Sequence, residues 1–191
     1  YRFIKRLFDI VGSLIGIIIL SPIMLILMVL VMADDGSNPI YGHSRIGQNG
    51  KKINIYKFRS MRKDAGELKK LLTPEQVIQY EKEFKIDDDP RITKIGNFLR
   101  RTSLDELPQM FNILSGSLSV IGPRPIVKKE TEIYGDDIGK ILSVKPGLTG
   151  YWQAYGRSNV TYESGERQKM EMYYCDNCSL WLDTKIFFKT F

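Results

Sequence analysis

Only two cysteines and one histidine occur in the 191 residues. Cys175 and Cys178 are too few for a disulfide framework, no Cys/His zinc site can be built within the chain, and such sparing cysteine use fits a reducing compartment. His43, alone between Gly42 and Ser44, excludes any mechanism needing two histidines and reads as a hairpin residue rather than a general base. The lone Cys175-Asp176-Asn177-Cys178 has no second pair, so the thiols read as small apolar groups packed near Trp181. There is no Walker-type or Gly-x-Gly-x-x-Gly loop, so any bound phosphate must be neutralised by arginines and a divalent cation. Internal repeats and low-complexity tracts are also absent.

What the chain does have is an excess of positive charge, 28 Lys and Arg against 22 Asp and Glu. This favours anionic partners such as lipid headgroups or phosphorylated small molecules. The basic residues form no nucleic-acid motif, and no nucleic-acid partner is expected. The length suits one domain plus an anchor. The chain opens on Tyr1 rather than a methionine, which leaves room for a preceding segment.

The anchor is the uncharged run from Ile10 to Ala33, longer than the roughly 20 residues a helix needs to cross a bilayer. Ser21-Pro22 interrupts it, because Pro22 offers no N–H to the preceding turn and its ring crowds that turn. Arg2, Lys5 and Arg6 precede the run, and Arg45, Lys51, Lys52, Lys57, Arg59, Arg62 and Lys63 follow it. Both flanks therefore favour the cytoplasmic side, which a helix-break-helix hairpin over residues 1–35 satisfies and a straight span does not. A kinked span with Asp34 and Asp35 outside is the competing reading.

The rest reads as α+β and mostly helical. Two strands, Pro39 to Ile46 and Lys51 to Phe58, flank Gln48-Asn49-Gly50 as a β-hairpin. Two helices are expected between Arg62 and Lys85, the second capped at Thr73 with Pro74 in its first position. Asp87-Asp88-Asp89-Pro90 caps a helix from Arg91 to Arg101, a reading preferred over a metal site. Short helices follow over Leu107–Leu114, ended by Gly116, and over Asp136–Val144. Between them Gly122-Pro123-Arg124-Pro125 forms a stiff turn. Gly147 to Gln153 is loop or short strand, and helices at Glu166–Tyr174 and Ser179–Phe191 finish the chain. The last has a composition suited to a membrane interface as well as to a core.

The chemistry centres on Asp105-Glu106, beside Arg100 and Arg101 and followed by Pro108. Ser103-Leu104-Asp105-Glu106 matches a capping box, although Pro108 argues for Asp105 as the cap. At a helix N-terminus a carboxylate pKa is expected to fall, which suits a nucleophile, a metal ligand or a cap alike. Lys57 and Arg59 at the hairpin end, with Arg100, Arg124 and Arg157 beside turns or helix ends, could hold a phosphate in fixed geometry.

These motifs together resemble the bacterial sugar transferases, monotopic phosphoglycosyl transferases that load a sugar 1-phosphate onto a polyprenyl phosphate. The likeness covers nearly the whole chain. It rests on Lys5-Arg6-Leu7-Phe8-Asp9 with Ser21-Pro22, Tyr56-Lys57-Phe58-Arg59-Ser60-Met61 and Asp89-Pro90-Arg91-Ile92-Thr93-Lys94-Ile95-Gly96. It continues through Thr102-Ser103-Leu104-Asp105-Glu106-Leu107-Pro108-Gln109, Gly122-Pro123-Arg124-Pro125, Lys145-Pro146-Gly147-Leu148-Thr149-Gly150 and Ser179-Leu180-Trp181-Leu182-Asp183. The cysteine pair departs from the family pattern, which has apolar or aromatic residues there.

The resemblance implies Asp105 as the nucleophile on the β-phosphorus of a UDP-sugar, releasing UMP, with undecaprenyl phosphate collecting the phosphosugar as the first membrane step of polysaccharide or capsule assembly. It implies Glu106 as the partner acid, Mg²⁺ on Asp105 and Glu106, and Lys57, Arg59, Arg100, Arg124, Arg157 and Gln153 as substrate-binding residues. It places residues 36–191 as a catalytic domain on the cytoplasmic face of the bacterial inner membrane, behind the anchor of residues 1–35. A homodimer is an open expectation, and longer family members carry further membrane helices ahead of this unit. The alternative from another class is a non-catalytic, membrane-bound adaptor that binds anionic lipid and protein partners.

Overall fold

The computed structural model describes all residues except 68–70, 84–85, 87–88, 157–164 and 191. Arg157, Asp87 and Asp88, named above, lie outside the described residues. The fold is α+β and mostly helical, with two small two-stranded sheets.

The apolar run forms one helix, α1 (Arg2–Asp35), with Pro22 inside it. The two expected helical arms are thus a single helix in the structure. A proline removes one i→i−4 bond, and the long apolar segments on either side keep their own ladders. α1 is long and apolar enough to cross a membrane. Most of its large side chains are exposed, from Phe3 at 82% and Ile18 at 64% to Val29 at 66%, unlike a helix at the heart of a water-soluble core.

Two compact units are distinguishable, one of residues 1–19, 42–55 and 109–191, the other of residues 20–41 and 56–108. β1 (Ile40–Ile46) and β2 (Lys52–Phe58) pair with each other across the expected turn. Asn49 and Gly50 both take positive φ there, which suits an Asn-Gly pair.

In the smaller unit, Met24, Leu27 and Val31 of α1 form a stripe at helical spacing that is buried with Phe58 and Leu99. Phe58 and Leu99, outside α1, each contribute about 1.5–3 kcal/mol by leaving water. The first expected helix does not begin at Arg62: residues 62–67 form turns, with the Arg62 guanidinium donating to both oxygens of Asp64, and residues 68–70 lie outside the described residues. α2 (Pro74–Glu83) starts where predicted. Thr73 and Gln76 satisfy each other's backbone N–H groups, at 3.1 and 3.3 Å. The aspartate run does not cap the next helix. That helix, α3 (Lys94–Thr102), is capped by Thr93, which accepts from the Gly96 N–H at 2.9 Å. Asp89 is instead gripped by Arg91, whose Nε and Nη2 donate at 2.8 and 2.6 Å, with the Tyr80 ring over the guanidinium.

In the larger unit, α4 (Gln109–Ser115) leads to β3 (Ser119–Ile121), which pairs in parallel with β4 (Gly147–Thr149). A 3₁₀ stretch (Lys128–Asp137) and α5 (Ile138–Ser143) connect them. A Cβ at Gly147 or Gly150 would strike the Gly122 backbone, so the Gly-Pro-Arg-Pro and Pro-Gly-Leu-Thr-Gly segments meet backbone to backbone. α6 (Tyr151–Tyr155), α7 (Glu166–Asn177) and α8 (Leu180–Thr190) complete this unit. Its main cores gather Ile121, Ala154, Tyr174 and Ile186, and separately Ile126, Tyr134 and Ile141.

The charged start of α1 is structural glue within this unit. Arg6 donates to the carbonyls of Ile113 and Leu114 at the end of α4, at 2.6 and 2.7 Å. Asp9 accepts from Ser119 Oγ and the Val120 N–H, and Lys5 pairs with Asp183 at 2.7 Å.

Candidate active site

β2 ends by burying Phe58 and leaving Lys57 and Arg59 on its flanks. The chain then crosses α3 at its glycine, where a Cβ on Gly96 would overlap the Ser60 carbonyl. This close approach lets the Thr93 N–H donate to that carbonyl at 3.2 Å. One turn further along α3, Arg100 Nε donates to Ser60 Oγ at 2.9 Å.

α3 ends at Ser103, which adopts φ +56° and turns the chain into a single 3₁₀ turn, Leu104–Glu106. Ser103 makes no side-chain cap there, so the expected capping box does not form. Leu104 and Leu107 pack on the core of α1, Phe58 and Leu99. That registry leaves the two intervening acids beside Lys57, whose Nζ lies 2.5 Å from Glu106 Oε1 and 3.6 Å from Asp105 Oδ2. Asp105 is only 8% exposed.

The sequence predicts a lowered Asp105 pKa, and the structure reverses this. Burial pushes the carboxyl up and Glu106 adds to the rise, against the opposing charges of Lys57 and Arg100. The acids sit in one 3₁₀ turn rather than in the first turn of a long helix, and desolvation outweighs the remaining attraction. A buried, relatively basic carboxylate can attack an electrophilic phosphorus, and cations beside such a group can offset the charge of phosphate oxygens.

Among the described residues no cluster of three or more His, Cys, Asp or Glu could hold a metal. Asp105 and Glu106 still fit Mg²⁺, which characteristically takes one or two carboxylates and completes its shell from substrate phosphate and water.

Lys57, Arg100, Asp105 and Glu106 thus share one unit, in which Arg59 donates instead to the Asn38 carbonyl at 2.9 Å and lies over the Tyr41 ring. Arg124 and Gln153 belong to the other unit. There the Arg124 backbone N–H donates to Glu171, at 3.2 and 3.4 Å from its two oxygens, and Gln153 lies in α6 with a buried Oε1. His43 lies in β1, as expected. Both cysteines are free and half-buried, and burial pushes the Cys175 thiol up to about 12, which suits packing rather than reactivity.

Sequence reasoning missed three residues. Ser60 and Gly96 lie within motifs quoted above, but their mutual approach is a tertiary fact. Glu171, 1% exposed, sits in the polar stretch Glu166-Arg167-Gln168-Lys169-Met170-Glu171 and carries no signal that separates it from a solvated helix face.

The family model described as bacterial sugar transferase matches residues 1–191. The chain is 50% identical over 192 residues to the undecaprenyl-phosphate galactose phosphotransferase of Salmonella typhimurium, covering 99% of the chain and 40% of that relative. It is 40% identical to the exopolysaccharide production protein ExoY of Rhizobium meliloti, covering 97% of the chain and 83% of the relative. With the UDP-glucose:undecaprenyl-phosphate glucose-1-phosphate transferase of Escherichia coli it shares 36% identity, covering 99% of the chain and 39% of that protein. The chain therefore spans about two fifths of the length of the first relatives it matches.

Proposed function

The chain belongs to the bacterial sugar transferase family, and on that footing we propose that it transfers a sugar 1-phosphate from a UDP-sugar to undecaprenyl phosphate, releasing UMP. The observation that carries this reading is the buried Asp105 beside Lys57 and Glu106, in a chain whose relatives are named for this transfer with galactose and glucose. The adaptor alternative has no finding in its favour.

In the first step an Asp105 carboxylate oxygen bonds to the β-phosphorus. The bond from that phosphorus to the oxygen bridging the α-phosphate breaks, and UMP leaves with the electron pair. In the second step an oxygen of undecaprenyl phosphate attacks the same phosphorus, and Asp105 departs as a free carboxylate. Lys57 neutralises phosphate charge, Glu106 holds Lys57 in reach of it, and Arg100 adds a cation fixed by Ser60. Mg²⁺ on Asp105 and Glu106 would supply further neutralisation of the diphosphate. Arg59, in the same unit as Asp105, is proposed to add a further cation to the donor site.

Residues 1–35 serve as the membrane anchor, with the basic flanks on either side of the apolar run favouring a re-entrant course around Ser21-Pro22. This would put residues 36–191 on the cytoplasmic face of the inner membrane, where a soluble nucleotide sugar and a lipid phosphate are both accessible. A homodimer remains part of the proposal. The test is a panel of UDP-sugars with Mg²⁺ and undecaprenyl phosphate, scored by UMP. One sugar should give turnover, and Asp105→Asn should lower it by at least about 10³-fold, as removal of a covalent nucleophile does. Full turnover in Asp105→Asn would sink the mechanism.

A further inference from the structure

Two adjoining cavities in the larger unit are used by none of the chemistry above. The first, of about 230 Å³, is walled by Arg2, Lys5, Arg6 and Lys145. The second, of about 320 Å³, is lined by apolar side chains including Phe8, Val120, Ile121, Leu180 and Phe187. Lys5 and Asp9 line both, so a basic chamber opens beside an apolar one at the charged start of α1.

The basic chamber is short of negative charge. Lys5 is matched by Asp183, and Asp9 is engaged by Ser119 and the Val120 N–H. Arg6 donates to two peptide carbonyls, which engage two of its five N–H groups without cancelling its charge. Lys145 is half-buried with no carboxylate in ion-pair range among the described residues. Burial and the neighbouring Arg6 and Lys5 push the Lys145 pKa down, with only Asp9 opposing. Four cations against two carboxylates leave an excess of two positive charges, enough to neutralise one phosphate of a lipid headgroup, diester or monoester.

We propose that this pair of cavities binds a phosphate-headed membrane lipid, its phosphate among Arg2, Arg6 and Lys145 and a hydrocarbon chain in the groove between Phe8 and Phe187. A lipid fits better than free phosphate because the apolar chamber adjoins the basic one and Phe3, Phe8 and Phe187 are themselves 82%, 69% and 44% exposed. Such a lipid would seat the start of α1 at the headgroup level. The cavities belong to the larger unit and Asp105 to the smaller.

Native mass spectrometry of the purified protein released from detergent tests this, titrating phosphatidylglycerol, phosphatidylcholine, undecaprenyl phosphate and inorganic phosphate in separate arms. Expected is one retained anionic lipid per chain, with phosphatidylcholine and inorganic phosphate each held at least about tenfold more weakly. Lys145→Gln should weaken retention about tenfold, the loss of one charge-assisted contact. Phe187→Ser should weaken lipid without changing phosphate binding. The stronger of the two anionic lipids identifies the source.

A second readout needs no variant: reductive methylation of Lys145 in the unaltered protein should slow when the more strongly retained of the two anionic lipids is added. Equal retention of phosphatidylcholine, inorganic phosphate as tight as lipid, or unchanged Lys145 labelling would each overturn the proposal.

Discussion

Glu171 is the residue at which burial and charge conflict most sharply. Its carboxyl is pushed up to about 7 by burial, against Arg167 and the Arg124 N–H, with Glu130 adding to the rise. Cys175, packed nearby, has its own thiol pushed up in part by Glu171. Arg167 is itself buried and stacked on Trp152 at 3.8 Å. A raised folded-state pKa means that the contribution to stability is complete below the ordinary carboxylate range and is lost as pH rises through about 7. The full window is worth on the order of 3 kcal/mol. Melting temperature should therefore fall between pH 5 and pH 8 in the parent more steeply than in Glu171→Gln, which carries no titrating group there. Equal slopes in a pH series of thermal melts would contradict this. The same desolvation explains why the direction of the Asp105 shift was not legible: the sequence places that acid beside two arginines, but its 8% exposure depends on Leu104 and Leu107 finding a core supplied by α1.

Among the elements, the crossing of the β2 extension over α3 positions the cations against the acids, and it depends on one glycine. Gly96→Ala should push the Ser60 carbonyl off α3, costing about 1–3 kcal/mol as overpacking does. That corresponds to a melting temperature lower by roughly 2–12 °C, with donor affinity falling as Arg100 loses Ser60. A melt within a degree of the parent would show that the contact is slack. Most elements were legible because their signals are local: the apolar run, Asn-Gly between two alternating strands, Thr-Pro before α2, and Gly116 after α4. The first of the two helices expected between Arg62 and Lys85 does not begin at Arg62, since Arg62 and Asp64 pair across a turn, and its middle lies outside the described residues. The cap of α3 was misassigned to the aspartate run because Asp89 is committed to Arg91. The parallel pairing of β3 with β4 was invisible because its partners lie on either side of a long helical connection, and glycines that allow backbone contact resemble glycines that make turns.

At the scale of the whole molecule, the basic flanks and Pro22 together predict that both ends of α1 face the same side of the membrane. Single cysteines introduced near Gly36, with Cys175 and Cys178 replaced, should resist an impermeant thiol reagent in intact cells and react after permeabilisation. Labelling from outside would establish a span. The reaction itself is tested most directly by withholding the acceptor. Incubated with a competent UDP-sugar and no undecaprenyl phosphate, the protein should release UMP up to one equivalent, gain the mass of one sugar phosphate, and carry that mass on the peptide containing Asp105. Adding undecaprenyl phosphate should then discharge it. UMP appearing only when the acceptor is present, with no mass gained by the protein, would mean direct transfer between the two substrates and would contradict a covalent role for Asp105.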